Sequence, residues 1–417
     1  MKLRIEKAVY GGDGLARIPG GKTVFVPGTL PGELVEATIA SDQRSFANGE
    51  LDAILEPSAE RVVPGCEYVP RCGGCQYQHA GATFQLRMKL DILQETLARA
   101  HLPVPGEIAS VTGPPWGYRN RIRLHVVGVA LGYRRRGSHN LLPVTRCPIA
   151  APLLEQAVAG VERLAKEAGL ASLCEEVEFF TSGEQDQLLV SLWPGRRQRP
   201  DERSLEAFAE QLRVQVPALT GVGLFSAHNG AVAHWGQHSL TYTVSGHPYQ
   251  VSLGSFFQVN RFLLPQLLQL AVGNRSGRLA WDLYSGVGLF ARALNFETVT
   301  AVESEEFSAD LKKNLERGRR HVVRSSTLEF LRSQRPGQTK PELILVDPPR
   351  AGLGKEICTH LSRIAAQEIV YISCDPATLA RDLQSLLQSG YSVQEMTLVD
   401  LFPQTFHMET VTSLKRN

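Results

Sequence analysis

The first residue here whose type and setting suggest chemistry is Cys374. It lies in Val370-Tyr-Ile-Ser-Cys-Asp-Pro-Ala-Thr-Leu-Ala-Arg-Asp382, where Val370, Tyr371 and Ile372 read as the end of a buried strand. Asp375 is a suitable N-cap, Pro376 suits the first helical position, and residues 377–388 carry a helical apolar period that Gly390 can stop. A thiol at such a junction faces exposed N–H groups and the positive end of a helix, which favour the thiolate that a nucleophile needs. The same stretch suits a small buried core cysteine equally well, so other residues have to decide.

Several acids close apolar runs in the way that ligand-holding acids do. Leu279-Ala-Trp-Asp-Leu-Tyr284 reads as a buried strand, Ser285-Gly-Val-Gly-Leu-Phe290 as a glycine-rich turn, and Thr298-Val-Thr-Ala-Val-Glu303 as a second strand ending in an acid. Strand, turn, helix and an acid about 20 residues on is how a Rossmann-like site holds a ribose. Gly286-x-Gly288 lacks a third glycine and follows a strand containing Asp282, which favours S-adenosylmethionine over a dinucleotide. Gly286, Gly288, Leu289 and Glu303 are therefore candidate cofactor contacts. Glu342-Leu-Ile-Leu-Val-Asp347-Pro-Pro-Arg350 releases another acid at a strand end. Ligands bind outside the carboxyl ends of strands in open α/β sheets, so Glu303, Asp347 and Cys374 are expected to converge. A helix cap is the alternative for Asp347. Glu409 opens the last apolar strand, a place more often solvent-facing than catalytic.

A second group of chemistry-bearing residues is Cys66-x5-Cys72-x2-Cys75, followed far along the chain by Cys147-Pro148. Three thiolates on one glycine-containing loop can wrap a metal cluster, with the fourth stapling a second segment to it. We expect a [4Fe-4S] cluster; tetrahedral zinc accepts four thiolates as well. Cys174 and Cys358 read as core. Seven cysteines, odd in number and unevenly spaced, argue against a secreted disulfide scaffold.

The elements that must position these groups divide a chain of 417 residues into regions. We expect a multidomain α/β protein. Residues 1–56 alternate short strands with glycine turns, the pattern of a small closed barrel. This stretch, Gly11-Gly-Asp-Gly14 included, resembles a TRAM domain, an OB-like barrel whose implied role is RNA docking. Residues 57–245 form a central α+β region with the cysteine loop, helices near 80–101, 153–167 and 204–212, and antiparallel strands from Tyr118 to Val144. Residues 246–417 form a Rossmann-like domain. The net charge of +2 is too small to indicate nucleic-acid binding, but Arg119, Arg121, Arg123, Arg134, Arg135, Arg136 and Arg146 crowd one region and interleave with Tyr118, His125, Tyr133 and His139. That mixture suits phosphates and unstacked bases gripped together; a solvated basic sheet face is the alternative. No apolar run is long enough for a membrane span and the first residues lack the apolar core of a signal peptide, so we expect a cytoplasmic monomer with no membrane segment.

Together these residues resemble the S-adenosylmethionine-dependent RNA uracil-5-methyltransferase family, from end to end. The motifs are Gly254-Ser-Phe-Phe-Gln-Val-Asn260, Asp282-Leu-Tyr-Ser-Gly-Val-Gly-Leu-Phe290, Asp347-Pro-Pro-Arg-Ala-Gly352, Ser373-Cys-Asp-Pro-Ala-Thr-Leu-Ala-Arg-Asp382 and Phe402-Pro-Gln-Thr-Phe-His-Met-Glu-Thr-Val411. The resemblance implies Cys374 as nucleophile and Glu409 as base. It also implies that Gln258, Tyr284, Glu303 and Asp347 line the cofactor and uracil pocket, and that Cys66, Cys72, Cys75 and Cys147 hold an iron–sulfur cluster. Asp375 stands where the family usually has Asn, Ser285 where cysteine is common, and Ser326 where an acid or amide contacts the adenine side of the cofactor. The substrate it implies is RNA, with 23S rRNA as our first expectation and tRNA as the alternative. Amino-group methylation would leave Cys374 unexplained, and a non-enzymatic iron–sulfur RNA-binding protein would not need it.

Overall fold

The computed structural model describes residues 1–417 apart from 104–105, 166–169, 196–197, 199–200, 227–230, 305–307, 317 and 336–338. The chain divides into two compact units. One comprises Met1–Arg99, Tyr133–Leu142 and Phe402–Met408; the other comprises Ala100–Gly132, Pro143–Leu401 and Glu409–Asn417. Among the described residues no helix is long and apolar enough to cross a membrane.

In the first unit, alternation of apolar and polar residues folds the N-terminal strands into a curled sheet, the expected OB-like barrel. Its strand order is Lys2–Arg4, Leu34–Asp42, Phe46–Glu56, Thr23–Pro27, Asp13–Arg17, Lys7–Ala8. Leu3, Ile5, Ala16, Val24, Val26, Val35, Ala37 and Ala47 turn inward and make the core. Gly14 is required by close approach, because a Cβ there would stand 2.2 Å from the Thr29 hydroxyl. The base of the barrel is tied by Glu33. Its fully covered carboxylate accepts from the backbone N–H groups of Leu30 and Ser58 and from Nε and Nη2 of Arg61, at 2.6–3.1 Å. Burial opposes the charge on Glu33, but Arg61 and the two amides outweigh it and hold the carboxyl below its ordinary value. The helix expected over 80–101 spans Ala82–Arg99 and ends where His101 adopts a left-handed φ of 54°.

In the second unit, the central strands pair as Arg121–Val127 with Glu176–Thr181, then Leu188–Trp193, Leu219–Phe225 and Ala231–Gly236. The helices Pro152–Ala165 and Glu202–Gln215 bury Leu154, Val158, Val161, Leu205, Phe208 and Leu212. The basic strand is less open than its charge suggests. Arg121 lies over the Phe180 ring at 4.2 Å and faces Glu178 at 3.3 Å, while Arg123 lies over Trp193 at 4.4 Å and meets Glu176 at 2.7 Å. Register explains this: Phe180 stands directly opposite Arg121, and each arginine reaches the acid diagonal to it, Glu178 for Arg121 and Glu176 for Arg123, which stays exposed. Arg134, Arg135 and Arg146 are exposed.

The Rossmann-like sheet of this unit has the order Arg320–Arg324, Asn295–Glu303, Ser276–Leu283, Leu343–Val346, Glu368–Ser373, Glu409–Arg416, Tyr391–Val399, Ala109–Val111. The first five strands run parallel, and Glu409–Arg416 inserts antiparallel to its neighbours. Buried on both faces, the inner parallel strands read as continuous apolar runs, as in Leu343-Ile-Leu-Val346. Ala109–Val111, an edge strand beside Tyr391–Val399, was not expected, because three residues carry no readable period.

Replacing Arg61 with Ala strands a buried carboxylate and should destabilise the barrel by about 3 kcal/mol at neutral pH. Because the folded-state carboxyl of Glu33 titrates below its unfolded value, the stability it contributes is complete above the unfolded pKa and is lost as pH falls through the folded one. The difference between Arg61→Ala and the parent should therefore shrink toward pH 3. Hydrogen exchange of the Val24 and Val35 amides at the two pH values measures it; equal differences at both would refute this role for the pair.

Candidate active site

The carboxyl ends of the parallel strands carry the sequence-predicted acids and the cysteine. Ser373 pairs with Thr410 across the antiparallel register. Cys374, one residue beyond, and Glu409, one residue before, are thereby set opposite one another at the sheet's end. Glu409, expected at a solvent-prone position, is 3 % exposed. Asp347 leaves the neighbouring strand, Leu343–Val346, and its Oδ2 accepts from Nε2 of Gln258 at 3.2 Å. Burial raises the carboxyls of both Glu409 and Asp347; the Asp347 charge adds to the rise at Glu409, and the Gln258 hydrogen bond offsets part of the rise at Asp347.

Cys374 differs from the sequence expectation. Its thiol is pushed up to about 12, first by burial and then by Glu409 and Asp347, with Arg350 pulling the other way. The helix end does not rescue the thiolate because Asp375 takes its donors. The Asp375 carboxylate accepts from the N–H groups of Ala377 and Thr378 at 3.0 and 2.9 Å. The feature that identified the helix start thus also screens it from the cysteine.

The glycine-rich turn lies at the end of the central strand. Tyr284 adopts φ 64°, a strained left-handed conformation for a residue of its size, and Gly286 and Gly288 have φ 55° and 90°. Gly286 donates its N–H to Oε2 of Glu303 at 2.7 Å, and the other Glu303 oxygen accepts from the N–H and hydroxyl of Ser304. Leu289 opens the short helix Leu289–Ala293, and its carbonyl accepts from the Tyr249 hydroxyl. Ser326 is exposed and caps the helix Thr327–Ser333 in a reciprocal box with Glu329. The preceding N–H, from Ser325, reaches the Glu303 carbonyl at 2.9 Å, so Ser326 stands at the edge of the same strand ends.

Two residues outside the sequence-predicted set belong to this geometry. Asp282, at 0 % exposure, accepts from Ala291 N–H at 2.9 Å through Oδ2, while its Oδ1 has no hydrogen-bond partner among the described residues. Burial raises its carboxyl to about 8. An acid inside an apolar strand just ahead of a glycine turn was the available signal. Asn120 donates to the Gln258 carbonyl at 2.9 Å and to the Tyr242 hydroxyl, and its own N–H donates to Val259. Nothing local in the sequence links it to Gln258. Three buried acids whose charge is suppressed, one with an orphaned oxygen, fit a cationic cofactor such as S-adenosylmethionine.

The loop after Asp347 is bound to the helix after Cys374. Asp382, 1 % exposed, accepts from Leu353 N–H, Gly354 N–H, the Tyr371 hydroxyl and Arg381 Nε. Thr378 donates to the Arg350 carbonyl and Arg381 to that of Ala351. These contacts fix the Asp347 loop relative to Cys374.

The predicted cluster cysteines are partly exposed and fall in both units, Cys66, Cys72 and Cys75 in the first and Cys147 in the second. Cys72 N–H donates to the Tyr68 carbonyl, and Gly74 N–H donates to the Cys72 sulfur at 3.4 Å, a contact that suits a thiolate. Among the described residues no group of three or more His, Cys, Asp or Glu side chains could hold a metal ion. Cys174 and Cys358 are buried, as expected of core thiols.

Comparison with known proteins agrees with this geometry. The family profile described as tRNA (Uracil-5-)-methyltransferase matches residues 136–417, and the TRAM domain profile matches residues 1–51. The 23S rRNA (uracil(1939)-C(5))-methyltransferase RlmD of Pectobacterium carotovorum is 32% identical, across 96% of this chain and 90% of its own. An uncharacterized RNA methyltransferase of Aquifex aeolicus is 31% identical, across 100% and 98%. The solved structure of Pyrococcus abyssi tRNA (uracil-54, C5)-methyltransferase in complex with S-adenosyl-L-homocysteine superposes with a TM-score of 0.78 at 22% identity, covering 99% of this chain and 100% of that one, a likeness of fold. The chain belongs to the tRNA (Uracil-5-)-methyltransferase family: it is an S-adenosylmethionine-dependent RNA uracil-5-methyltransferase carrying an N-terminal TRAM domain.

Proposed function

We propose that this enzyme methylates C5 of a uridine in 23S rRNA, at the position corresponding to 1939 of its RlmD relatives, through a covalent adduct between Cys374 and C6 of the base. The observation that carries the chemistry is the placement of Cys374 opposite Glu409 across paired strands. The choice of RNA rests on relatives of 30–32% identity that are named 23S rRNA enzymes and match nearly the whole chain. A tRNA uridine is the second reading, favoured by the fold likeness to a tRNA enzyme. We place the reaction in the cytoplasm, where rRNA is modified.

Uracil C5 is a poor nucleophile. A Cys374 thiolate adding to C6 creates an enolate whose C5 can take a methyl group. The thiol proton must leave first, and the adjoining carboxylates of Asp347 and Glu409 are available to accept or relay it. S-adenosylmethionine supplies the methyl group and a sulfonium charge that favours the anionic forms of these groups. Gln258 and Asp347 orient the uracil and the cofactor, Glu303 accepts from the ribose, and Tyr284, Gly286, Gly288 and Leu289 form the wall beside it, with Ser326 at the adenine side. After transfer, the Glu409 carboxylate removes the C5 proton, the electron pair re-forms the C5–C6 double bond, and the C6–S bond breaks to return Cys374. The target base has to leave its stack to reach this depth.

Three regions share the work in this reading: residues 1–56 and 57–245 dock RNA, and 246–417 carry the chemistry. The spacing of Cys66, Cys72, Cys75 and Cys147 alone supports a [4Fe-4S] cluster, and no step of methyl transfer passes through one.

RNA containing 5-fluorouridine, incubated with the enzyme and S-adenosylmethionine, should form a stable adduct, since fluorine cannot leave as the proton does. Cys374→Ala should form none. The adduct should appear faster as pH rises from 7 to 9, because burial and the neighbouring acids oppose loss of the Cys374 proton. Failure to trap an adduct with either rRNA or tRNA would sink the mechanism. Mapping 5-methyluridine in RNA from cells with and without the gene should show loss at one 23S rRNA position; loss in tRNA alone would select the second reading. Anaerobically purified protein should be brown with broad visible absorption, whereas colourless protein with stoichiometric zinc would overturn the cluster assignment.

A further inference from the structure

We infer that Asp310 is a positioning residue for methyl transfer, acting through Gln258. The inference rests on the role proposed above for Gln258. Asp310 lies on the short helix Ser308–Asn314 and is 3 % exposed. Its carboxylate accepts from Ser252 N–H at 2.8 Å, from the Ser252 hydroxyl at 2.6 Å and from the Ser255 hydroxyl at 2.7 Å. All of these donors belong to the chain that leads directly into Gln258. One turn along the same helix face, Asn314 accepts from Gln250 N–H at 2.7 Å and donates to the carbonyls of Gln250 and Val287, each at 2.9 Å.

The helix therefore grips two segments that meet at the reaction site. One is the strand His247–Ser252 with its continuation to Gln258, and the other is the glycine-rich turn at Val287. Between Ser252 and Gln258 the chain makes a sharp left-handed bend at Gly254, φ 74°, where a Cβ would collide with the Phe225 ring at 2.7 Å. A bend so confined has its exit direction set by what holds its ends. Asp310 holds the entry, and Asn120 holds the Gln258 carbonyl at the exit. The amide of Gln258 is left aimed at Asp347 Oδ2. Losing the Asp310 carboxylate orphans a buried Ser252 N–H and two hydroxyls, so the loop must shift to regain partners. A shift well under an ångström suffices to spoil the alignment of Gln258.

A double-mutant cycle tests this in the full-length enzyme, using methyl transfer from S-adenosylmethionine to in vitro-transcribed, unmodified 23S rRNA and tRNA. Asp310→Ala should lower kcat/KM about tenfold. Asp310→Asn should restore most of that loss. Its single oxygen can serve Ser252 N–H and the Ser255 hydroxyl, and its amide faces a Ser252 hydroxyl free to turn and accept. In a Gln258→Ala background the Asp310→Ala effect should nearly vanish, since both changes remove the same alignment. If Asp310→Ala does not fold, Ser255→Ala, which deletes one hydroxyl, should show the same dependence on Gln258 at about threefold. Fully additive losses would overturn the inference while leaving Gln258 in place. A Gln258→Ala enzyme with parental kcat/KM would instead remove the reading of Gln258 and the inference with it.

Discussion

The antiparallel pairing of Glu368–Ser373 with Glu409–Arg416 is the constraint on which the site depends. A parallel sheet delivers strand ends to one edge, but only from strands that run outward. Inserting the last strand in the opposite sense brings a strand start to that same edge. Register then sets Glu409 beside Cys374, which directly follows the last paired residue of its own strand. Since side chains alternate along a strand, a slip of one residue would turn Glu409 to the other face and remove it from the cysteine.

That pairing has an electrostatic cost. Glu409, Asp347 and Asp282 are enclosed near one another, and burial suppresses the charge of each. Cys374 shares the environment, and its thiol is held protonated for the same reasons. In the proposed reaction, a cationic cofactor resolves the conflict, making the nucleophile and the base available together only when the methyl donor is in place. This would guard a reactive thiol against side reactions more effectively than a permanently ionised one. Asp375 contributes by taking the helix's N–H groups for itself.

Around the reacting groups lies a layer of buried polar side chains, each of which joins loops distant in sequence. Asp382 joins the Asp347 loop to the Cys374 helix, Asp310 and Asn314 join the Gln258 segment to the glycine turn, and Asn120 secures the Gln258 carbonyl. These contacts are backbone N–H groups and carbonyls met by carboxylates and amides. Loops without regular pairing would otherwise leave such groups unsatisfied in the interior. The result is a rigid frame for groups that must sit within a fraction of an ångström of their working positions.

Much of this was legible in the sequence because it is local. Period and punctuation marked the barrel, the inner strands and the helix after Cys374, and the spacing of Gly286, Gly288 and Glu303 predicted a turn and an acid that do meet, with Gly286 hydrogen-bonded to Glu303. What depends on distant residues was not legible. Glu409 looked solvent-facing because its burial comes from a partner strand, and Arg121 looked open because Phe180 and Glu178, which cover it, arrive from another strand. Asn120 and Asp310 carry no local sign of their contacts. The sequence by itself determined which residue types stand at which strand and helix ends, since alternation, capping and turn chemistry act over a few residues. Only the tertiary structure decided which ends meet and in what charge state, because register and desolvation are set by segments that the chain brings together from far apart.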